Sequence, residues 1–221
     1  MKLLLASGGM NNASIRAALV ELLGKPIEES SALCIPTASY GGQEAPYRAW
    51  NFIAGAEPRA PMTELGWKRM GILELTALPH MRPERWIDPL READAILVNG
   101  GDPMFLHHWI VESGLAEVLS ALEDTVWIGM SAGSMVMTPR IGEYFVGWEP
   151  PGGGDRTLGF VDFSIFPHLD HPMLPHNTTA DAERWAQTLG NRAYAIDDET
   201  AITVVDGVET VVSEGTWIQF S

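Results

Sequence analysis

The chain has 221 residues, and its 29 Asp and Glu against 14 Lys and Arg give a formal net charge of -15 at pH 7. A charge of this sign repels nucleic-acid phosphates and anionic lipid surfaces, so neither nucleic-acid nor membrane partners are expected. The single cysteine, Cys34, excludes an intramolecular disulfide and a zinc site built from several thiolates, and this cysteine usage is typical of the reducing cytoplasm.

The length suits one α/β domain, and no linker or charge block divides the chain, so residues 1–221 are predicted to form a single domain. The apolar run at residues 3–6 superficially suggests a signal peptide, but it ends too early and is predicted to be a buried first strand. Elsewhere charges, Gly or Pro interrupt every apolar stretch well short of the length that spans a bilayer.

Through residue 140, short apolar runs alternate with segments that carry helix signals. Strands are predicted at residues 3–6, 32–36, 72–75, 95–99 and 126–130. Helices are predicted at residues 14–23, 44–56 and 103–122, the last broken near Ser113 and Gly114. This alternation predicts a parallel sheet covered by helices on both faces, with ligands bound at the carboxyl ends of its strands.

The last third of the chain changes character. A strand at residues 163–167 and a helix at 179–189, capped by Thr178, are followed by short strands at 193–196, 201–205, 208–212 and 217–220. Asp206-Gly207 is a strong hairpin signal between two of these strands. We therefore expect an antiparallel edge at the carboxyl-terminal end.

The segment Gly129-Met130-Ser131-Ala132-Gly133 lies between a predicted buried strand and a predicted helix. This is the context of a nucleophile elbow, in which a strained serine needs small neighbours. The turn would aim the amide of Ala132 at the position of an oxyanion. The simpler alternative is a Gly/Ser-rich connection between a strand and a helix.

A nucleophilic serine needs a base, and His168 is the best placed of the six histidines because it directly follows the strand predicted at 163–167. His171 and His176 lie in the next loop and can equally have no role. With Asp170, these histidines are suitable zinc ligands by type, but their spacing does not match the helix-borne HExxH pattern and no thiolate is nearby. No metal site is predicted.

The segment Asn99-Gly100-Gly101-Asp102-Pro103 ends another predicted strand. Its glycines let backbone amides approach a ligand, so it is a candidate source of a second oxyanion donor. The same segment fits a tight turn into a helix, with Asp102 as the N-cap and Pro103 in the first helical position. The two interpretations are compatible.

These segments resemble the peptidase E family, which includes aspartyl dipeptidase and cyanophycinase. The resemblance is carried by Val98-Asn99-Gly100-Gly101-Asp102, Gly129-Met130-Ser131-Ala132-Gly133 and Ile165-Phe166-Pro167-His168, and it covers residues 95–205. It implies an α/β three-layer sandwich with a mostly parallel central sheet, similar to class I glutamine amidotransferases and flavodoxin-like in type. Ser131 stands where those amidotransferases carry a cysteine.

Residue by residue, the resemblance makes Ser131 the nucleophile, His168 the general base, and the amides of Gly101 and Ala132 the oxyanion hole. Alignment on Ile202-Thr203-Val204 selects Asp198 as the acid that orients the histidine. The other carboxylates that remain open are Glu199, which is adjacent, and Glu143 and Glu149, which lie where cyanophycinase-like relatives place their acid. For each of these the alternative is a solvated surface charge.

Two further residues concern the substrate. Aspartyl dipeptidases carry Asn-Thr after the paired glycines, whereas this chain has Asp102-Pro103. A carboxylate at this position would repel an aspartyl side chain and could bind an α-amino group or a basic side chain. Arg184 lies near the position of the substrate-binding arginine of the dipeptidases, although its offset from His168 differs.

The sequence thus predicts a serine peptidase that hydrolyses a short peptide or related amide through an acyl-enzyme, without a metal or organic cofactor. Two other functions remain open: an esterase with the same elbow, and a binding or regulatory protein that has lost catalysis. The family resemblance suggests a homodimer.

Overall fold

The computed structural model describes residues 1–42, 45–56 and 61–221. The strands are β1 (Lys2–Ala6), β2 (Ser31–Ile35), β3 (Arg69–Ile72), β4 (Ala95–Val98), β5 (Val126–Met130), β6 (Ser164–Phe166), β7 (Ala193–Ile196), β8 (Thr200–Val205), β9 (Val208–Ser213) and β10 (Trp217–Phe220). The α-helices are α1 (Ala13–Leu23), α2 (Ala45–Ala54), α3 (Glu84–Arg91), α4 (Pro103–Glu112), α5 (Leu115–Leu119), α6 (Ala132–Met135) and α7 (Thr179–Leu189). Across the described residues, no helix combines the length and apolar character needed to cross a membrane.

The larger sheet has seven strands in the order β3-β2-β4-β5-β1-β8-β9. The first five strands of that order run parallel, while β8 pairs antiparallel with β1 and forms a hairpin with β9. The predicted parallel sheet with an antiparallel edge is confirmed. Because β1, β4 and β5 are parallel neighbours, their carboxyl ends meet at one edge of the sheet.

The central strands of this sheet, β1, β4 and β5, are buried on both faces. Side chains alternate along β1: Leu3 and Leu5 join a core with α3, α4 and α5, whereas Leu4 and Ala6 join a second core with α1 and α2. A strand buried on both faces is apolar at every position, which is why these strands read as continuous apolar runs in the sequence. The predicted three-layer α/β sandwich is confirmed.

A second sheet of three strands, in the order β10-β7-β6, lies beside the first. Phe166 of β6 packs against Trp185 of α7, with ring centroids 5.4 Å apart, whereas Ile165 and Tyr194 point into the core of the large sheet. The carboxyl-terminal strands are therefore divided between the two sheets, because β10 pairs with β7 of the small sheet instead of extending the β8-β9 edge of the large one. This small sheet positions the segment that contains His168.

Two local predictions differ from the structure. The strand expected at residues 72–75 is β3 at Arg69–Ile72, because β3 is an edge strand with exposed side chains and the buried Leu73 and Leu75 follow it. Helix α3 was not anticipated, since prolines lie at its N-cap and inside it.

The break in the helix predicted at 103–122 is confirmed at Gly114, where φ is 76°. Glu44, where a helix was predicted to begin, lies outside the described residues.

Candidate active site

Ser131 lies between β5 and α6 in a strained backbone conformation, with φ of 51° and ψ of -111°. A side chain at positive φ costs free energy that the surrounding structure must offset. The Ser131 amide donates a hydrogen bond to the Ala6 carbonyl oxygen at 3.0 Å, which fixes the turn to the end of β1. The predicted strand-turn-helix context of a nucleophile elbow is therefore present.

Glycines on both sides allow this tight turn. A β-carbon on Gly129 would lie 2.3 Å from the Gly133 carbonyl oxygen, and one on Gly133 would lie 2.4 Å from the Val98 carbonyl oxygen. Both distances are far below van der Waals contact, so no other residue fits without backbone movement. The spacing of the two glycines around Ser131 thus has a steric cause.

The loop after β4 lies against the nucleophile. A β-carbon on Gly100 would lie 3.3 Å from that of Ser131, and one on Gly101, where φ is 142°, would lie 2.2 Å from the Ala38 carbonyl oxygen. In residues 1–42, 45–56 and 61–221, neither the Gly101 amide nor the Ala132 amide has a hydrogen-bond acceptor. Unpaired amides beside a nucleophile are the groups from which an oxyanion hole is built.

Asp102 has a structural role. Its Oδ1 accepts hydrogen bonds from the amides of Met104 and Phe105, both at 2.9 Å, and its Oδ2 accepts from the Trp148 amide at 2.6 Å. The residue is therefore the N-cap of α4, as its position before Pro103 indicated, and it also ties down the loop that contains Trp148. Its suggested contact with substrate stays a prediction.

His168 follows β6 and lies beside Asp198, which follows β7. His168 Nδ1 is 2.6 Å from Asp198 Oδ1, and both side chains are about three-quarters buried. A carboxylate can only accept, so Nδ1 carries the hydrogen and Nε2 of the neutral ring is left to accept a proton. Burial raises the pKa of Asp198, but the hydrogen bond and charge of His168, together with the Ser7 hydroxyl, outweigh burial and lower that pKa below its ordinary value.

Ser7 was missed in the sequence. Its fully buried hydroxyl donates to Asp198 Oδ1 at 2.7 Å and accepts from the His168 amide at 2.7 Å. The available signal was its position immediately after the first apolar strand, since a residue at that point lies at the same sheet edge as Ser131. Its two partners are 161 and 191 residues away in the chain, so no local pattern reveals them.

The four candidate acids differ in whether they contact His168. Asp198 alone among them contacts His168, whereas the exposed Glu199 accepts a hydrogen bond from Asn12 at 3.1 Å. Glu143 and Glu149 are exposed. On the outer side of Asp198, Oδ2 lies 3.6 Å from Nε2 of His171, whose Nδ1 accepts from the Met173 amide.

Ser131 and His168 are held by adjacent residues at the end of β1. The Ser131 amide donates to Ala6, and the His168 amide donates to Ser7. Within the described part of the chain, no hydrogen bond joins the Ser131 side chain to His168. Such contacts are commonly long in a free enzyme and shorten when substrate binds.

Arg184 lies on an exposed face of α7, where it forms an ion pair with Asp181. Its predicted contact with substrate gains no support from this pairing and stays a prediction.

Asp170 accepts hydrogen bonds from the amide and hydroxyl of Thr179 at 3.1 Å each, and thus stabilises the start of α7. In the described residues, no three His, Cys, Asp or Glu side chains are grouped so as to hold a metal ion.

The fold is similar to that of two solved structures. One is a candidate peptidase E protein from Listeria monocytogenes EGD-e, with 19% identity, a TM-score of 0.66, and coverage of 97% of this chain and 98% of that chain. The other is a peptidase from an acI-B1 Actinobacterium, with 18% identity, a TM-score of 0.68, and coverage of 100% and 93%. No curated protein matches this chain.

The sequence model of peptidase family S51 matches residues 3–212. This match extends over nearly the whole chain and includes every segment of the candidate site, and β10 is the one strand of the described residues that lies wholly outside it. The chain belongs to peptidase family S51 and is a serine-type peptidase.

Proposed function

We propose that the protein hydrolyses a short peptide or related amide through an acyl-enzyme on Ser131, with His168 as general base and Asp198 as the acid that orients it. One observation carries this proposal. The strained serine and the His168-Asp198 pair are both fastened to the end of β1, through hydrogen bonds to the neighbouring residues Ala6 and Ser7.

The reaction follows from the properties of these groups. His168 Nε2 takes the proton of the Ser131 hydroxyl while Oγ forms a bond to the carbonyl carbon of the substrate. His168 then gives that proton to the leaving amine, the C–N bond breaks, and an ester to Ser131 remains. Water attacks the ester by the same route in reverse order, which releases the acid and restores the serine. Asp198 stays ionised throughout and stabilises the imidazolium.

The developing negative charge on the carbonyl oxygen needs donors that are already in place. The amides of Gly101 and Ala132 meet this requirement, because neither has another acceptor in the described residues and the Gly100-Gly101 loop lies against Ser131. Fixed donors of this kind contribute about 3–4 kcal/mol each to transition-state stabilisation in enzymes where one has been removed.

The only thiol does not compete for the role of nucleophile. Cys34 is fully buried in the core on the α1 and α2 side of the sheet, and burial raises the pKa of its thiol to about 11. The thiol is therefore protonated at neutral pH, and a protonated thiol is a poor nucleophile. We therefore assign the role of nucleophile to the Ser131 hydroxyl and not to the Cys34 thiol.

The proposal is tested by hydrolysis of a panel of dipeptides with acidic, neutral and basic residues, together with acyl esters of the same residues. We expect cleavage of at least one dipeptide by the wild type, and a loss of about a thousandfold or more in Ser131→Ala. Cleavage of esters with no activity on any dipeptide would contradict the proposal that the substrate is a peptide or related amide. Equal rates for the wild type and Ser131→Ala would contradict the role of Ser131.

A further inference from the structure

We propose that Ser7 is a positioning residue of this site: its hydroxyl joins the His168 main chain and the Asp198 carboxylate into one hydrogen-bonded unit and so fixes the orientation of the imidazole. The inference rests on the proposed function, because it assigns Ser7 a task in that reaction. Ser7 itself needs no contact with the substrate.

The hydrogen bonds of Ser7 have only one consistent direction. The Asp198 carboxylate can only accept, so the single hydroxyl proton of Ser7 points to Oδ1 at 2.7 Å. The oxygen of the same hydroxyl accepts the His168 amide at 2.7 Å. Ser7 is 0% exposed, so water does not compete for either bond. A buried hydroxyl with both capacities in use is a rigid link between its partners.

His168 depends on this link because of its backbone. Its φ is 58°, in the left-handed region that residues other than Gly adopt at a cost. The next amides, of Leu169 and Asp170, are bound to Ile196 at 3.1 Å and to Asn177 at 2.7 Å. The His168 amide donates to the Ser7 hydroxyl. Removal of that hydroxyl therefore leaves the strained backbone of His168 without this hydrogen bond, and the imidazole that it carries is held less firmly.

The Ser7 hydroxyl also fixes the carboxylate that holds the imidazole. It donates to Asp198 Oδ1, the same oxygen that lies 2.6 Å from His168 Nδ1. The Ser7 oxygen is itself 3.4 Å from His168 Nδ1, a weaker contact than its 2.7 Å bond to the ionised carboxylate. Ser7→Ala therefore removes the common partner of the Asp198 carboxylate and the His168 main chain.

Two further residues contact Asp198 within the part of the chain that the structure describes. His171 Nε2 lies 3.6 Å from Oδ2, the carboxylate oxygen that is not bonded to His168. Asn11 donates to the Asp198 main-chain oxygen at 2.9 Å. Ser7→Ala leaves both of these contacts in place, so a change at the His168 imidazole reports on the lost hydroxyl.

The deciding experiment records the Nδ1–H resonance of the His168 imidazole by NMR in the wild type, Ser7→Ala and Ser30→Ala. Ser30 is a matched control, because its hydroxyl is also fully buried but donates to the Pro26 carbonyl oxygen at 2.9 Å, next to the amino-terminal end of β2. We expect this resonance to shift, or to be lost through exchange with water, in Ser7→Ala only, because the imidazole is no longer held in place against Asp198. An unchanged Nδ1–H resonance in folded Ser7→Ala would overturn the proposal. If this variant does not fold, Ser7→Cys, with a weaker donor of similar size, takes its place in the same comparison.

Activity provides a second, separable readout. If the wild type hydrolyses a peptide, we expect Ser7→Ala to lower kcat about ten- to a hundredfold, with KM within about twofold and Ser30→Ala unchanged. Equal kcat values for the wild type and Ser7→Ala would overturn the positioning role while leaving the proposed function intact. Absence of Ser131-dependent hydrolysis in the wild type would instead count against the proposed function, and the Nδ1–H resonance would still decide whether Ser7 positions His168.

Discussion

His168 and Asp198 pair across the junction of the two sheets, with Nδ1 and Oδ1 2.6 Å apart. His168 follows β6 of the small sheet, whereas Asp198 lies in the short connection from β7 of the small sheet to β8 of the large one. Ser7 and Ser131 directly follow β1 and β5 of the large sheet. The candidate site therefore depends on how the two sheets are fastened together, and Ser7, at the end of β1, bonds to both members of the pair.

The role of Asp198 is tested by replacing it with asparagine. Asp198→Asn keeps the size of the side chain but removes the charge and allows the wrong histidine tautomer, so we expect kcat to fall about a hundredfold or more. The measurement is peptide hydrolysis under saturating substrate. Glu199→Gln is the matched control, because Glu199 is adjacent and bonds to Asn12 rather than to His168. A comparable loss in both variants would contradict the assignment of the acid.

The same residue predicts a pH dependence of stability. Because the pKa of Asp198 is lower in the folded state than its ordinary value, the ionised carboxylate stabilises the fold. This contribution is complete above the unfolded-state pKa of about 3.9 and is lost as pH falls through the lower folded-state value. Urea unfolding of the wild type and Asp198→Asn at a series of pH values measures it. We expect a difference in unfolding free energy that is present at about pH 5 and shrinks as the pH falls below about 4. A difference that grows on acidification would contradict the shift.

Substitution of Gly133 tests the packing of the elbow. In Gly133→Ala the new β-carbon would lie 2.4 Å from the Val98 carbonyl oxygen, so we expect a loss of about 3 kcal/mol in unfolding free energy, at the upper end for overpacking. Gly42→Ala is the control, because Gly42 has a negative φ and the atom nearest to its new β-carbon would be 3.9 Å away. We expect the unfolding free energy of this variant to change by no more than about 0.5 kcal/mol. Chemical denaturation of both variants checks the contrast. Similar stabilities would show that the elbow is less crowded than the structure indicates.

The two interpretations of Asp102 make different predictions. Its capping of α4 predicts that Asp102→Ala lowers the unfolding free energy by about 1–2 kcal/mol, and that Asp102→Asn, which retains one acceptor, loses less. A substrate role predicts in addition that Asp102→Asn lowers kcat/KM for dipeptides with basic residues more than for neutral ones. Steady-state kinetics on both substrate types distinguishes the two. Equal loss on all substrates would leave Asp102 with the capping role alone.

The sequence predicts those parts of the site that lie next to each other in the chain. Ser131, with its flanking glycines, and His168, at the end of a strand, are recognisable because the residues that shape each position are neighbours. The family resemblance selects Asp198 and leaves three other carboxylates open, because contact with His168 is a matter of distance that the sequence does not contain. Ser7 escaped notice because its hydrogen bonds reach segments that are far away in the chain.

The errors in the fold have a similar origin. Edge strand β3 is exposed, so its residues lack the apolar run that marks a buried strand, and the pattern pointed instead to the buried residues that follow it. Likewise, nothing in the apolar pattern at residues 217–220 indicates whether that strand joins β9 or β7. Choice of partner strand is decided by long-range packing, which a local pattern does not encode.

The central claim, that Ser131 is a nucleophile activated by His168, is tested most directly by covalent labelling with a fluorophosphonate. Intact-protein mass spectrometry followed by peptide mapping should find one adduct on the wild type, at Ser131, with none on Ser131→Ala and a much slower reaction in His168→Ala. An unlabelled wild-type protein, or an adduct that persists in Ser131→Ala, would contradict it.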